Sequence, residues 1–317
     1  MTPTHSAGHL HTVESIPDTA HRLARIQEAL ATRILGKPRE IRLALACVLA
    51  EGHLLIEDVP GVGKTTLAQG LAQVLGLTFS RIQFVSDLLP ADILGVSLFD
   101  RNAATFHFAP GPIFSQLVLA DEINRSSPRT QSALLEAMAE RQVTIEGETR
   151  ALARPFTVIA TQNPGDHSGT FALPDSQLDR FLMRIGIGYP PSSAERQLLT
   201  HGHDRTRPLD ALADTDTLIG WQQAVARIET RDAVVDYVLR LIRASRNDSA
   251  FAQGLSPRAG LALRRSAQAW ALLCGRDYVL PEDVQAVLPA VVDHRLTPTD
   301  TDQTAASTRL LADVDVI

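Results

Sequence analysis

Apolar residues follow two spacings along the first part of the chain. Leu23, Ile26, Leu30 and Ile34 recur at three- and four-residue intervals, one face of a helix. An Ala/Leu-rich stretch at 39–51 predicts a second helix leading into Leu54-Leu55-Ile56, an apolar run too short to be helical. Strand-like runs of the same kind lie at 78–84, 117–121, 156–161 and 181–187, with helical patterns between most of them. Short apolar strands alternating with helices predict an α/β fold whose five-stranded parallel sheet is covered on both faces. Two further segments alternate like hairpins, one within 96–108, where Thr105 and His107 alternate with Phe106 and Phe108, and one at 143–150.

Beyond about 190 the strand pattern ends. Pro190-Pro191-Ser192-Ser193 reads as a linker, followed by helical stretches at 193–203, 215–228, 231–246, 257–273 and 281–292, the last opened by Pro281-Glu282-Asp283. The chain therefore divides into an α/β unit over 21–189 and a helical unit over 190–317, whose last segment, 297–317, carries no clear period. Residues 1–20 read as a disordered tail. Its His5, His9 and His11 have no acidic or cysteine companions and do not make a metal site.

Composition narrows the functional classes. A formal net charge of −6 argues against a surface devoted to nucleic acid. Cys47 and Cys274 both sit in apolar helical sequence and read as buried thiols, with no disulfide framework. No apolar stretch is long enough to span a membrane, and the first residues lack the order of a secretory signal, so a cytoplasmic location is expected.

The most informative motif follows the first strand. Pro60-Gly61-Val62-Gly63-Lys64-Thr65-Thr66 breaks the run at 54–56 and opens a helix, the setting of a phosphate-binding loop. Its glycines let backbone N–H groups converge on phosphate, the helix start adds partial positive charge, and Lys64 adds a full one. The hydroxyl of Thr65 is the candidate ligand for a phosphate-bridging Mg²⁺. One position departs from the pattern G-x-x-x-x-G-K-[ST]: Asp58 stands where glycine is usual, and its carboxylate would repel a triphosphate if it pointed inward. The second acidic element is Leu117-Val118-Leu119-Ala120-Asp121-Glu122. An apolar strand ending in acid delivers carboxylates to the sheet edge that carries the loop. Asp121 suits Mg²⁺ and Glu122 suits a general base for the attacking water.

Beyond these two motifs the chain carries a specific resemblance. Asp121-Glu122-Ile123-Asn124-Arg125 and Gln131-Ser132-Ala133-Leu134-Leu135-Glu136-Ala137-Met138 resemble the MoxR family of AAA+ ATPases. So do Gln83-Phe84, Asp87 through Gly95, and Gly111-Pro112-Ile113-Phe114; the likeness runs from Ile34 to Leu296. It implies an AAA+ core with a C-terminal helical lid, ATP and Mg²⁺ as cofactors, and a homo-oligomeric ring, a hexamer. It also implies a chaperone-like role with a separate von Willebrand A domain partner, in maturation of metal- or cofactor-dependent enzymes.

The resemblance assigns residues as well. Asn163 matches the first sensor, which orients the attacking water, although Asn163-Pro164 also reads as a plain turn. Arg180 matches the finger that reaches a neighbouring subunit's γ-phosphate; an ion pair with Asp175 or Asp179 is the structural alternative, and Arg184 is a second choice. Arg258, after Ser256-Pro257, matches the second sensor, by which the lid touches nucleotide, against an ordinary helix-surface arginine. Gly36 falls at the family's adenine-pocket turn. The hairpin at 96–108 resembles an insertion of this AAA+ branch, and its Phe106 and Phe108 are either a client contact or packing. Asp166-His167-Ser168-Gly169-Thr170 imitates a metal-dependent adhesion motif by coincidence.

Rival readings differ in class. A GTPase lacks support because no Asn-Lys-x-Asp motif is present, and the paired arginines oppose a small-molecule kinase. A nucleotide-gated scaffold with little turnover stays open because of Asp58, as does a metal-chelatase-like or DNA-directed motor.

Overall fold

The computed structural model describes residues 14–164, 169–201, 208–297, 299 and 304–316. In chain order the α/β part comprises α1 (Ile16–Ala31), α2 (Pro38–Leu49), β1 (Leu54–Glu57), α3 (Lys64–Val74), β2 (Phe79–Gln83), α4 (Pro90–Leu94), β3 (Gly95–Asp100), β4 (Thr105–Pro110) and β5 (Leu117–Asp121). It continues with α5 (Pro128–Glu140), β6 (Gln142–Ile145), β7 (Glu148–Ala151), β8 (Thr157–Gln162), α6 (Asp175–Leu178) and β9 (Met183–Ile185). Among the described residues the elements that follow are helices: α7 (Ser192–His201), α8 (Thr215–Arg227), α9 (Asp232–Asn247), α10 (Pro257–Leu273), α11 (Pro281–Val292) and α12 (Ala306–Asp313).

The five expected strands form one sheet in the order β2-β5-β8-β1-β9, every pairing parallel. The three central strands β5, β8 and β1 are buried on both sides, which explains their unbroken apolar runs, whereas the edge strand β2 keeps Arg81 and Gln83 exposed. Leu55, Val118, Ala120, Val158 and Ala160 face one layer, where α5 supplies Leu134, Leu135 and Met138. Leu54, Ile56, Leu117, Leu119, Ile159 and Met183 face the other, with α1, α2 and α3. The expected hairpins are β3–β4 and β6–β7, both antiparallel.

Helix boundaries follow local chemistry. Ser15, Ser127, Asp214 and Ser256 cap α1, α5, α8 and α10 by accepting from backbone N–H groups in the first turn. Proline at N1 or N2 opens α1, α2, α5, α10 and α11. The tail expected over 1–20 is shorter than its pattern indicated: with Ser15 as cap and Pro17 in the first turn, residues 16–20 are helical. Residues 1–13, including the three histidines, and Asp166-His167-Ser168 of the adhesion-like motif lie outside the described residues.

Two features depend on tertiary packing. The apolar layer on the α1–α3 side does not stop at residue 190: Leu45 and Leu49 of α2 share one cluster with Trp221, Tyr237, Leu263 and Leu288 of the helical part. The C-terminal segment without a clear period forms α12, whose buried Leu310 joins that cluster, while Asp293 accepts from the backbone N–H and hydroxyl of Ser307. Cys47 is buried as expected, but Cys274 is exposed because it is the C-cap of α10, where the chain leaves the packed face.

Candidate functional site

The loop after β1 and the start of α3 build a cradle. Gly63 is the residue before α3, with φ +100°, and no side chain caps that helix, so its first N–H groups face the loop. Lys64 is 8 % exposed, and its Nζ donates to the carbonyl of Asp58 (2.5 Å), the carbonyl of Gln162 (3.2 Å) and Oδ1 of Asn163 (2.6 Å). Burial lowers its pKa, opposed by the charges of Asp58, Asp121, Glu122 and Glu57. Pro60, Gly61, Val62, Thr65 and Thr66 occupy the loop and first turn as the sequence places them. The Asp58 carboxylate does not enter the cradle. It turns to the backbone N–H groups of Val59 (2.7 Å), Ile187 (2.6 Å) and Gly188.

The acidic pair stands at the same sheet edge, on β5 and the residue after it. Asp121 accepts from the Thr161 hydroxyl at 2.6 Å and pairs with Arg81 at 2.7 Å. Glu122 adopts φ +57°, and its N–H donates to Thr161 Oγ1 at 2.9 Å. That turn aims its carboxylate at Asn163 Nδ2 (3.3 Å), Gln83 Nε2 (3.1 Å) and Arg125 Nε (3.2 Å). Asn163 thus bridges Lys64 and Glu122 with its two amide ends. The parallel order accounts for this, since β5, β8 and β1 are adjacent and all end at one edge.

Beside the cradle, Arg33, Ile34, Leu35 and Lys37 line a cleft with Gly61, Val62, Gly63, Thr66, Gly188 and Pro190. Gly36 supplies its turn, with φ +73°, and a Cβ there would lie 2.5 Å from the Pro191 ring.

The two remaining arginines are elsewhere. In the β1–β9 register Leu54 pairs with Met183, so Arg180 and His53 stand at the feet of the strands while Lys64 follows their tops. Arg258, at the start of α10, lines a surface cavity with Asp179, Arg180, Arg141 and Arg295 at that foot. It lies 3.9 Å from Asp179 and is 64 % exposed. Within one chain, then, Arg258 does not reach the cradle, and any contact it makes with nucleotide is with that of another subunit. Helix α10 packs on α2 and α8, behind the sheet, and a four-residue strand of roughly 3.3 Å per residue separates the two edges. Arg184, the second choice of finger, pairs instead with Glu57 at 2.8 Å and donates to the Asp293 carbonyl.

Sequence reasoning missed three participants. Arg81 and Gln83 alternate on β2 and reach Asp121 and Glu122, visible in sequence only as polar positions in a strand expected to be apolar. Arg295, 5 % exposed, donates to Asp179 Oδ1 (2.8 Å) and to the carbonyls of Phe181 (2.6 Å), Leu182 (3.2 Å) and Val291, fixing the turn that carries Arg180. No local signal marks it.

Fold and site together define a P-loop ATPase with a helical lid, and comparison with known proteins agrees. Residues 53–183 match the family described as "ATPase family associated with various cellular activities (AAA)", and residues 243–313 match "AAA lid domain". The YeaC protein of Bacillus subtilis is 44 % identical, with 86 % of each chain covered. Chaperone MoxR1 of Mycobacterium tuberculosis is 40 % identical over 93 % of this chain and 82 % of its own. A crystal structure from Cytophaga hutchinsonii superimposes with a TM-score of 0.84 at 31 % identity, covering 94 % of this chain and 95 % of that one. The chain belongs to the MoxR family of AAA+ ATPases and is an ATP-hydrolysing enzyme. Among the described residues, no helix is long and apolar enough to cross a membrane.

Proposed function

We propose that the enzyme works with Mg²⁺ as a ring, six subunits in the family pattern, and uses ATP-driven motion of the helical part to remodel protein clients. The observation that carries this reading is Asn163, whose amide spans Lys64 and Glu122. Such a bridge ties the group that holds the phosphates to the group that activates water. Lys64 and the loop N–H groups bind the triphosphate. Thr65 and Asp121 are the oxygen donors for Mg²⁺, which when bound neutralises phosphate charge. Glu122 takes the proton of the attacking water, and Asn163 orients that water. Asp58, facing away from the cradle, no longer favours a scaffold without turnover.

Arg180 and Arg258 act together across the subunit boundary. Both stand at the strand feet, remote from their own cradle, and two guanidinium groups on one surface suit a neighbour's γ-phosphate. The name of the mycobacterial relative supports a chaperone role. A separate von Willebrand A domain partner, maturation of a metal- or cofactor-dependent client and a cytoplasmic location complete the proposal. The net charge of −6 favours a protein client over nucleic acid.

The test uses three variants. Lys64→Ala is expected to lose ATP binding, and Glu122→Gln to bind ATP without turning it over. Arg180→Ala is expected to bind ATP and lose roughly 10³-fold in hydrolysis. Mixing it with Lys64→Ala subunits restores part of the activity if the finger works in trans. Wild-type turnover by Glu122→Gln would remove the base assignment, and a fully active monomer would remove the ring.

A further inference from the structure

Asp58 departs from the P-loop pattern, and its surroundings give the departure a use. Two parts of this one residue face opposite ways. Its backbone carbonyl accepts from Lys64 Nζ at 2.5 Å, inside the cradle. Its carboxylate accepts from the N–H groups of Ile187, at 2.6 Å, and of Gly188, with Val59 on the other oxygen. Ile187 and Gly188 belong to the strap that leaves β9 and leads through Pro190 and Pro191 into α7. That strap also walls the cleft beside the cradle, where Gly188 and Pro190 face Gly61, Val62, Gly63 and Thr66, and Pro191 packs against Gly36.

Chemistry favours aspartate for this task. An ionised carboxylate offers two oxygens, and charge strengthens each bond to a backbone N–H. Asparagine offers one acceptor oxygen and glycine offers none. The successive N–H groups of Ile187 and Gly188 meet one carboxylate oxygen, and Gly188, at φ +67°, then turns the strap.

We propose that Asp58 is a positioning residue that couples occupancy of the phosphate cradle to the strap at 186–191, and through it to α7 and the helical part. The proposal rests on the nucleotide-binding reading of Lys64. A triphosphate draws Lys64 Nζ away from the Asp58 carbonyl, and the backbone adjustment at Asp58 is passed by its carboxylate to Ile187 and Gly188. The strap in turn reshapes the cleft, so lid and cradle respond as one unit.

Three measurements test this: binding of a non-hydrolysable ATP analogue by calorimetry, steady-state kcat and KM, and hydrogen exchange at Ile187 and Gly188 with and without the analogue. In the wild-type protein, the analogue is expected to change exchange at both amides. Asp58→Asn is expected to leave analogue affinity within about threefold, lower kcat about tenfold, and free both amides to exchange about tenfold faster without response to nucleotide. Asp58→Gly, which restores the usual P-loop residue, moves the same readouts further in the same direction. The coupling is overturned if Asp58→Asn keeps wild-type kcat with a responsive strap. It is also overturned if affinity falls tenfold with kcat unchanged, which would make Asp58 a cradle residue only. Should neither variant fold, the wild-type protein decides, because a strap whose exchange ignores bound analogue refutes the proposal. A wild-type protein that binds no analogue overturns the nucleotide reading itself, and the coupling with it.

Discussion

Replacing Arg295 with methionine isolates the contact by which the helical part holds the arginine-bearing turn. The guanidinium is 5 % exposed, and its acceptors are the Asp179 carboxylate at 2.8 Å and the carbonyls of Asp179, Phe181, Leu182 and Val291. Methionine keeps most of the stem and removes every donor. Among the described residues, the cation left beside Asp179, one-quarter exposed, would then be Arg258 at 3.9 Å, too distant for a hydrogen bond. Breaking a buried ion pair costs about 3–5 kcal/mol when the other charge is left behind. The residual Arg258 attraction and the exposure of Asp179 place the expected loss near the lower end, about 3 kcal/mol. Denaturant unfolding of Arg295→Met reads this directly, provided m is unchanged. Adding Asp179→Asn should recover part of the loss, because it removes the stranded charge. Turnover should fall with nucleotide affinity intact, since Arg180 lies on the released turn and not at the cradle. A loss below about 1 kcal/mol, or no recovery in the double variant, would refute the reasoning.

Two shorter predictions concern other parts of the molecule. His53 is buried, accepts from Val158 N–H through Nδ1 and contacts the Met138 carbonyl through Nε2, and burial lowers its pKa from 6.5 to about 4. The neutral form is favoured in the fold, so this stability is complete above pH 6.5 and is lost as pH falls toward 4, by roughly 3 kcal/mol in total; His53→Gln should flatten that part of the stability–pH curve, and an unchanged curve would exclude His53 as its source. On the β3–β4 hairpin, Phe106 is 71 % exposed and its ring meets that of Phe99, whereas Phe108 packs on Phe114 and lies under Arg150 at 4.1 Å. Phe108→Ser should lower the melting temperature while Phe106→Ser leaves it in place and weakens client-dependent function; equal destabilisation by both would make Phe106 a packing residue.

How much of this was legible beforehand depends on the range of the interaction. Burial on both faces writes itself as unbroken apolar runs, so the central strands could be read, the edge strand β2 showed as a short segment of mixed polarity, and the helices were legible from periodicity and from caps such as Ser256-Pro257. The cradle and the acidic strand were legible for the same reason: each is a contiguous segment whose backbone geometry its own residues impose. Asp58 stood out as a departure from pattern, but which way its carboxylate points depends on Ile187 and Gly188, far along the chain. Phe106 and Phe108 looked equivalent at alternate positions, and only Phe114 and Arg150, from other elements, separate them.

The sequence by itself determined that a phosphate cradle and a pair of carboxylates would meet at the end of a parallel sheet, because strand and turn are set by neighbours in the chain. The tertiary structure decided the rest. Strand order brought Asn163 between Lys64 and Glu122, and the pairing of β2 with β5 placed Arg81, the middle residue of β2, against Asp121. The packing of α10 on α2 carried Arg258 to the foot of the sheet beside Arg180, away from its own cradle. Where a long polar side chain ends is set by the shape of the packed layers around it, and no spacing along the chain encodes that shape.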